Sequence, residues 1–248
     1  MSTIAEKQHP SHPHQLTLMS VQTPYRCHGC KNEGCEPCYQ CWDCGFYLHE
    51  QCALGSRTHH PFFKERFLFS DKPSIDPRHV GFCNACGESV QGFRYTADCK
   101  NEPAVFLHPC CLKLPLVRTD VDLEGVTVKL SKKISWPSKC LKCQSRKLSP
   151  EVRGWAYVST CGNYHYHVAC VKGLILEKWR KDYFDRQSDG GETTSTMSLV
   201  VEHGNLTGRK ARRLSSRKIQ RVLQLVVAAI FGDGISTFIQ LIVSGISA

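Results

Sequence analysis

The chain has 248 residues, a formal net charge of +10 and sixteen cysteines, a length that suits one or two ordinary domains or several very small ones. Its N-terminal residues contain no apolar run of the kind that forms a secretory signal, so a secreted disulfide scaffold is not expected. In a reducing compartment, paired cysteines interleaved with histidines favour metal binding. Arg209–Arg221 carries seven basic residues and no acidic one. The cysteine-rich body is therefore only mildly basic, which argues against a nucleic-acid partner.

A polar leader, predicted to be mobile, spans residues 1–12, and residues 13–60 form the first predicted module. Its candidate ligands are two C-x2-C pairs and one H-x2-C pair: Cys27 and Cys30, Cys41 and Cys44, His49 and Cys52. A C-x2-C pair places two thiolates on one tight turn, and four N or S ligands complete a closed tetrahedral zinc site. Six ligands are two short of two sites, and His14 and His60 flank the stretch as candidates.

Two further copies of this pattern follow, at a spacing of about 57 residues between their first cysteines. The second predicted module spans residues 61–116 and the third spans residues 117–186, with a capping helix over 168–186. Each keeps one ligand set: Cys83, Cys86, His108 and Cys111 in the second, and Cys140, Cys143, His167 and Cys170 in the third. Repetition at a fixed period indicates tandem modules.

The second site is eroded in the later copies, because only Cys99 and only Cys161 stand where a cysteine pair would be needed. We therefore predict about four zinc ions rather than six. Cys99, Cys110, Cys161 and His165 could complete a distorted further site, but ordinary buried thiols are the favoured interpretation of these cysteines. Cys35 and Cys38 are interpreted as surplus thiols of the first module.

The register of the first module resembles the divergent C1 domain, a plant cysteine/histidine-rich relative of the diacylglycerol-binding zinc module. The resemblance rests on the ligand spacing, on HPHQLTL at residues 12–18 and on FYLH at residues 46–49. It implies small α+β zinc-stabilised modules in tandem, with two interleaved sites in the first module. One site would use His14, Cys41, Cys44 and His60 (or the adjacent His59). The other would use Cys27, Cys30, His49 and Cys52.

Modules of about fifty residues are too short to bury a self-sufficient core, so zinc is expected to act as a scaffold. Closed four-ligand sites leave no position for a reactive water, and the sequence offers no convincing pairing of a nucleophile with a base. We therefore expect no enzymatic activity. The resemblance implies an interaction scaffold with a protein partner, active in plant signalling or stress response.

The C-terminal part is predicted to consist of a linker (187–208), a basic segment (209–221) and an apolar helical tail (222–248). A helical hairpin that docks on protein or membrane, a tail anchor and a nuclear signal with an incidental apolar end all remain open. An anionic membrane surface is a candidate partner of residues 209–248, because each basic residue near such a surface contributes about 1 kcal/mol. The expected location is the cytoplasm, with or without membrane association, and the nucleus is the alternative.

Two other classes of zinc protein share part of the pattern. A PHD-type chromatin reader would join Cys41 and Cys44 to Cys83 and Cys86 in one site. A RING-type ubiquitin ligase would need a different ligand order. The loop between the first two C-x2-C pairs is short and mostly polar, which argues against diacylglycerol binding.

Overall fold

The computed structural model describes residues 6–21, 24–34, 37–72, 81–99, 103–119, 126–188 and 216–232. The chain divides into two compact units, Met1–Leu114 and Pro115–Ala248. The first unit contains two small zinc-cluster modules and the second unit contains one. The modules are mainly β-structure, as expected for C1-like repeats, with short helices at the metal sites.

The first module is a four-stranded antiparallel sheet in the order β1-β2-β5-β6. Its strands are β1 (Glu6–Gln8), β2 (Gln15–Met19), β5 (Cys38–Gln40) and β6 (Tyr47–His49), and helix α1 (Glu50–Ala53) follows. A separate two-stranded ribbon consists of β3 (Tyr25–Arg26) and β4 (Glu33–Gly34). Leu16 and Leu48 are fully buried in the core, which the cysteines at the metal sites help to fill.

The second module repeats the arrangement, with the sheet order β10-β9-β8-β7. Its elements are β7 (Thr58–His59), β8 (Arg66–Ser70), β9 (Arg94–Ala97), β10 (Val105–Leu107) and helix α2 (Pro109–Leu112). Because β7 belongs to this sheet, the second module begins before the predicted boundary at residue 61. The first module also begins before the predicted boundary at residue 13. The predicted leader contributes β1, which pairs with β2 from Glu6 to Gln8.

The two modules of the first unit pack against each other at the turns that carry metal ligands. The N–H of Phe93 donates a hydrogen bond of 2.9 Å to the carbonyl oxygen of Gly29, and the Phe93 ring stacks on His9 at 5.7 Å between ring centroids. The N–H of Ser56 donates to the hydroxyl of Tyr95 at 3.2 Å. Backbone hydrogen bonds and aromatic contacts therefore join the modules.

The second unit holds the third module, a sheet in the order β11-β12-β13-β14. Its strands are β11 (Val117–Thr119), β12 (Thr127–Ser131), β13 (Ala156–Ser159) and β14 (His165–His167), followed by helix α3 (Val168–Ser188). Strand β11 pairs antiparallel with β12, with Val117 opposite Lys129 and Thr119 opposite Thr127. Helix α3 covers the predicted helix at 168–186.

Helix α4 (Ser216–Phe231) belongs to the second unit and combines part of the basic segment with the start of the predicted apolar tail. It contacts β11, β12 and α3, and Val222, Val226 and Val227 are at most 2% exposed. The helix ends where Gly232 adopts a φ of +79°, a C-terminal conformation that glycine favours. Residues 189–208 of the predicted linker, residues 209–215 of the basic segment and residues 233–248 of the tail lie outside the described residues. Of the helices that the structure describes, none combines the length and apolar character needed to cross a bilayer.

Candidate metal centres

The four C-x2-C pairs predicted to bind metal adopt the same backbone turn. The residue that follows the second cysteine donates its N–H to the carbonyl oxygen of the first, over 2.8–3.2 Å. That residue has a positive φ in each turn, between 54° and 75°. The donors are Lys31, Gly45, Gly87 and Gln144, and the acceptors are Cys27, Cys41, Cys83 and Cys140. The local sequence thus forms four equivalent turns, each with two cysteine ligands.

The three H-x2-C pairs also share one geometry, because each lies at a junction between a strand and a helix. His49 and His167 are the last residues of β6 and β14, and His108 follows the last residue of β10. The helix begins at the next residue, so the cysteine three positions later lies in its first turn. A residue and the one three positions later lie on the same side of a helical turn. This spacing directs both ligands to one point.

These turns and junctions bring the ligands together in four groups, within each of which the ligand atoms lie within 4.8 Å of one another. The groups are His12, His14, Cys41 and Cys44; Cys27, Cys30, His49 and Cys52; Cys83, Cys86, His108 and Cys111; and Cys140, Cys143, His167 and Cys170. Four ligands of N and S type fit a closed tetrahedral zinc site. The chain therefore binds about four zinc ions, as the sequence predicts.

The histidine of each H-x2-C site directs Nδ1 to the metal position. Nδ1 of His49 lies 3.3 Å from Sγ of Cys30, and Nδ1 of His167 lies 3.4 Å from Sγ of Cys143. Nε2 of His108 lies 3.2 Å from the carbonyl oxygen of Ser89, an acceptor that fixes the proton on Nε2. Such a hydrogen bond orients the ring and leaves the Nδ1 lone pair for the metal.

In the sites that contain an H-x2-C pair, the first cysteine of the C-x2-C pair favours the thiolate form. Burial acts to raise the pKa of Cys27, but hydrogen bonds from Cys30 and Cys52 outweigh it, and the pKa lies well below its usual range. The hydrogen bond from Cys170 is the largest of the effects that lower the pKa of Cys140 to about 3. The N–H of His167 also donates to Sγ of Cys140 at 3.4 Å. Thiolates are the form that binds zinc.

The remaining site differs from the expected ligand set, because His12 and not His60 completes it. Nε2 of His12 lies 3.3 Å from Sγ of Cys44, and Nδ1 of His14 lies 3.6 Å from Sγ of Cys41. His60 instead packs against Phe62 and Phe63, next to β7 in the second module. The adjacent His59 pairs with Arg66 in that sheet. Two histidines from the N-terminal turn thus replace the predicted pair from opposite ends of the module.

Replacing His12 by alanine should reduce the bound zinc from about four ions to about three, because a site with three ligands holds the metal weakly. His60→Ala is the matched control, since it removes a buried histidine that lies outside the group. It should destabilise the second module while the zinc content stays at about four. Elemental analysis of the purified variants measures both. Loss of one zinc from His60→Ala but not from His12→Ala would restore the original assignment.

The cysteines outside the four groups do not join a further metal cluster among the described residues. Cys99 contacts a carboxylate oxygen of Glu65 at 3.7 Å. Cys161 is exposed, in contrast to the expected buried thiol, because it lies in the turn that follows β13. Partial burial acts to raise the pKa of the Cys161 thiol, but hydrogen bonding, first of all with the Ser159 hydroxyl, lowers it. Oγ of Ser159 and Sγ of Cys161 lie 3.2 Å apart. Cys161 therefore combines exposure with a lowered pKa.

Cys161 should react with iodoacetamide faster than Cys99 or Cys110 in the zinc-loaded protein, because thiolate character and access control alkylation. Its lowered pKa predicts a rate that rises with pH and levels off below the usual thiol pKa of about 8.5. Mass spectrometry of timed samples gives the rate at each site. Ser159→Ala should move the pH midpoint upward, because it removes the hydrogen bond with the thiol. An unchanged midpoint would show that Ser159 does not tune the thiol.

The first C-x2-C turn of the chain carries a strained residue, since Lys31 has a φ of 67°. A residue with a side chain pays about 1–2 kcal/mol in this conformation, and glycine avoids most of it. Lys31→Gly should therefore raise the melting temperature of the zinc-loaded protein. Gly87→Ala, at the equivalent position with a φ of 75°, should lower it. Calorimetry at fixed zinc concentration measures both shifts, and shifts of the same sign would contradict this explanation.

Residues 10–53 match the family model described as the C1 domain. The matched range contains both sites of the first module and ends before His60. No curated protein and no solved structure matches the chain. The first module is thus a zinc-binding domain of the C1 type. The ligand groups also separate Cys41 and Cys44 from Cys83 and Cys86, so the described residues do not have the pairing that a PHD finger would require.

Proposed function

We propose that this chain is a non-enzymatic interaction scaffold of the divergent C1 type, built from three tandem modules that zinc stabilises. The observation that carries the proposal is that every cluster supplies four protein ligands. A closed site of this kind contributes folding energy and leaves no position for a reactive water. The equivalent turns and junctions in all three modules support the extension of the C1 assignment from the first module to the other two.

A role in plant signalling or stress response, with a location in the cytoplasm, follows from the resemblance of the first module to the divergent C1 family. The proposed partner is a protein. The polar loop of the first module and the mildly basic body give no support for diacylglycerol or nucleic acid as the partner. These assignments rest on the family analogy, because a fold by itself does not determine a function.

An anionic membrane surface remains the proposed second partner, through residues 209–248. The buried valines of α4 restrict how this contact would form, because they pack within the second unit. The charges that precede α4 in the sequence are then the proposed membrane contacts. Replacing Arg209, Lys210, Arg212 and Arg213 by glutamine tests this without removing α4. The variant should lose binding to phosphatidylserine vesicles, and equal binding of both chains would reject the membrane role.

Proximity labelling with the full chain tests the scaffold proposal. We expect the full chain to label a defined set of proteins. His167→Ala should reduce this set, because it removes one zinc site, and the glutamine variant of residues 209–213 should retain it. Cys161→Ser is the matched control, since Cys161 lies outside the four metal groups. A labelled set that His167→Ala leaves unchanged would contradict a zinc-dependent scaffold. Ubiquitin transfer by the purified chain would instead identify a ligase.

A further inference from the structure

The chain between β12 and β13 of the third module encloses a pocket of about 450 Å³. The segment before the C-x2-C turn forms one wall with Lys133, and the segment after the turn forms the other with Arg146, Lys147 and Arg153. A volume of this size lies in the range of about 300–1,000 Å³ that small-molecule sites occupy. The pocket is therefore large enough for a ligand of mononucleotide size.

The pocket is strongly cationic. Its walls carry the four basic side chains, and no carboxylate of the described residues lines it. None of these four side chains forms an ion pair within the described ranges. Between residues 126 and 160 the only acidic residue is Glu151, against eight basic ones. Like charges held together without counter-charges repel one another, and an anion relieves that repulsion.

An aromatic ring stands beside these cations. Trp136 lines the pocket and is 79% exposed. The side chain of Ile134, also in the lining, is 4% exposed and anchors the same segment in the core. An exposed indole face stacks well on a flat ring, and arginine binds phosphate oxygens through two parallel N–H groups. The pocket thus presents both a phosphate-binding wall and a stacking surface.

The zinc site holds the pocket in shape. The N–H of Cys140 donates a hydrogen bond of 2.9 Å to the carbonyl oxygen of Ser145, which lines the pocket. On the other wall, the hydroxyl of Ser131 donates to the carbonyl oxygen of Lys133 at 2.9 Å. Because metal binding fixes the turn between the walls, the backbone that carries the cations is positioned before any ligand arrives. Preorganisation of this kind reduces the entropic cost of binding.

We propose that this pocket binds a small phosphomonoester that carries a flat ring, with the phosphate between Arg146, Arg153 and the two lysines and with the ring on Trp136. The proposal is independent of the scaffold function, since it requires only that the third module is folded. The shared recognition element is the phosphate group. A soluble nucleotide is the source that the stacking surface favours over a lipid headgroup.

Titration of the full-length, zinc-loaded chain with adenosine 5′-monophosphate tests the proposal by calorimetry. We expect saturable binding with one site, and binding at least tenfold weaker for adenosine, which lacks the phosphate. Inorganic phosphate should also bind more weakly, because it makes no contact with Trp136. Equal affinity for adenosine and its monophosphate, or no binding at millimolar concentration, overturns the proposal.

Matched variants assign the site. Arg146→Gln with Arg153→Gln should weaken binding of the monophosphate at least tenfold. Lys129→Gln with Lys142→Gln removes the same charge from residues that do not line the pocket, and it should change the affinity less than twofold. Trp136→Ala should weaken the monophosphate but not inorganic phosphate. Zinc content is measured for every variant. Equal losses from the two double variants overturn the assignment, since they would indicate general charge attraction.

The source of the phosphate is tested with two further probes. Vesicles that contain phosphatidylinositol 4-phosphate and a single-stranded RNA of ten nucleotides are titrated with the same variants. Weaker binding of both than of the monophosphate, per phosphate group, supports a small soluble ligand. The proposal is overturned if the vesicles or the RNA bind a hundredfold more tightly than the monophosphate and the arginine variant abolishes that binding. The pocket would then be a site for a membrane surface or for RNA.

Discussion

A strong chelator should unfold the described modules and release about four zinc ions in two stages. The site formed by His12, His14, Cys41 and Cys44 should empty first, because two of its ligands, His14 and Cys44, are exposed. The site of the third module has one exposed ligand, Cys143, and should belong to the slower stage. The two sites whose ligands are all buried, one in each module of the first unit, should release zinc only as that unit unfolds. Structural zinc contributes about 10–16 kcal/mol per site in finger peptides, as much as or more than the net stability of a small domain.

Circular dichroism and a zinc-sensitive dye, recorded together during chelation, measure this result. The rapid release should be accompanied by a small spectral change, and the slow release by loss of the near-ultraviolet signal. His12→Ala should abolish the rapid stage and leave the slow stage, which identifies the site. A protein that keeps its cooperative melting transition after all zinc has been removed would contradict the role of zinc as a scaffold.

Most of the ligands could be predicted from the sequence because the geometry that assembles each half-site is local. A C-x2-C turn needs four residues, and an H-x2-C junction needs a strand end and one helical turn. The pairing of one half-site with another depends on the strands between them, and the partners were predicted only through the resemblance to the divergent C1 domain. This explains why the three H-x2-C groups coincide with the predicted sets.

The choice of His12 over His60 could not be predicted by the same reasoning. The resemblance takes one histidine from each end of the module, His14 and His60, so a second ligand from the N-terminal end was not expected. The chain instead turns there, with the N–H of His12 donating to the carbonyl oxygen of His9 at 3.0 Å. The ring of His12 also stacks on Phe46 at 4.1 Å between centroids. Both rings therefore reach the same pair of cysteines.

The sequence pattern also did not predict which elements that are distant in the sequence pack against each other. The sequence left open which surface the apolar tail contacts, and α4, which contains the first part of that tail, packs on the third module with its valines buried. An amphipathic pattern indicates that a helix has an apolar face but not which surface covers that face. The contact between the modules of the first unit is of the same kind, because it depends on two glycines that are distant in the sequence.

The close approach of Gly29 and Gly92 predicts that a single methyl group added at position 92 will have a large effect on stability. A Cβ at position 92 would overlap the carbonyl oxygen of Gly29 and lie 3.0 Å from its carbonyl carbon. The atoms in the way are backbone atoms of a zinc-binding turn, next to Cys30, so they cannot move aside as a flexible side chain could. The thiol of Cys110 comes from the other module and hydrogen bonds to Cys30, which raises the pKa of Cys30. Gly92→Ala should therefore force the modules apart where the metal site that contains Cys30 meets the second module.

We expect Gly92→Ala to cost about 1–3 kcal/mol or more, the usual penalty for overpacking, since relief requires loss of the hydrogen bond between Phe93 and Gly29. Gly173→Ala is the control, because a Cβ at that helical position meets open space and alanine favours a helix by about 1 kcal/mol. Thermal unfolding should show a lower melting temperature for Gly92→Ala and an equal or higher one for Gly173→Ala. Hydrogen exchange should locate the loosened amides at residues 29–30 and 92–93. Equal melting of Gly92→Ala and the unmodified chain would mean that the modules do not pack as described, because no other relaxation accommodates the methyl group without breaking that contact.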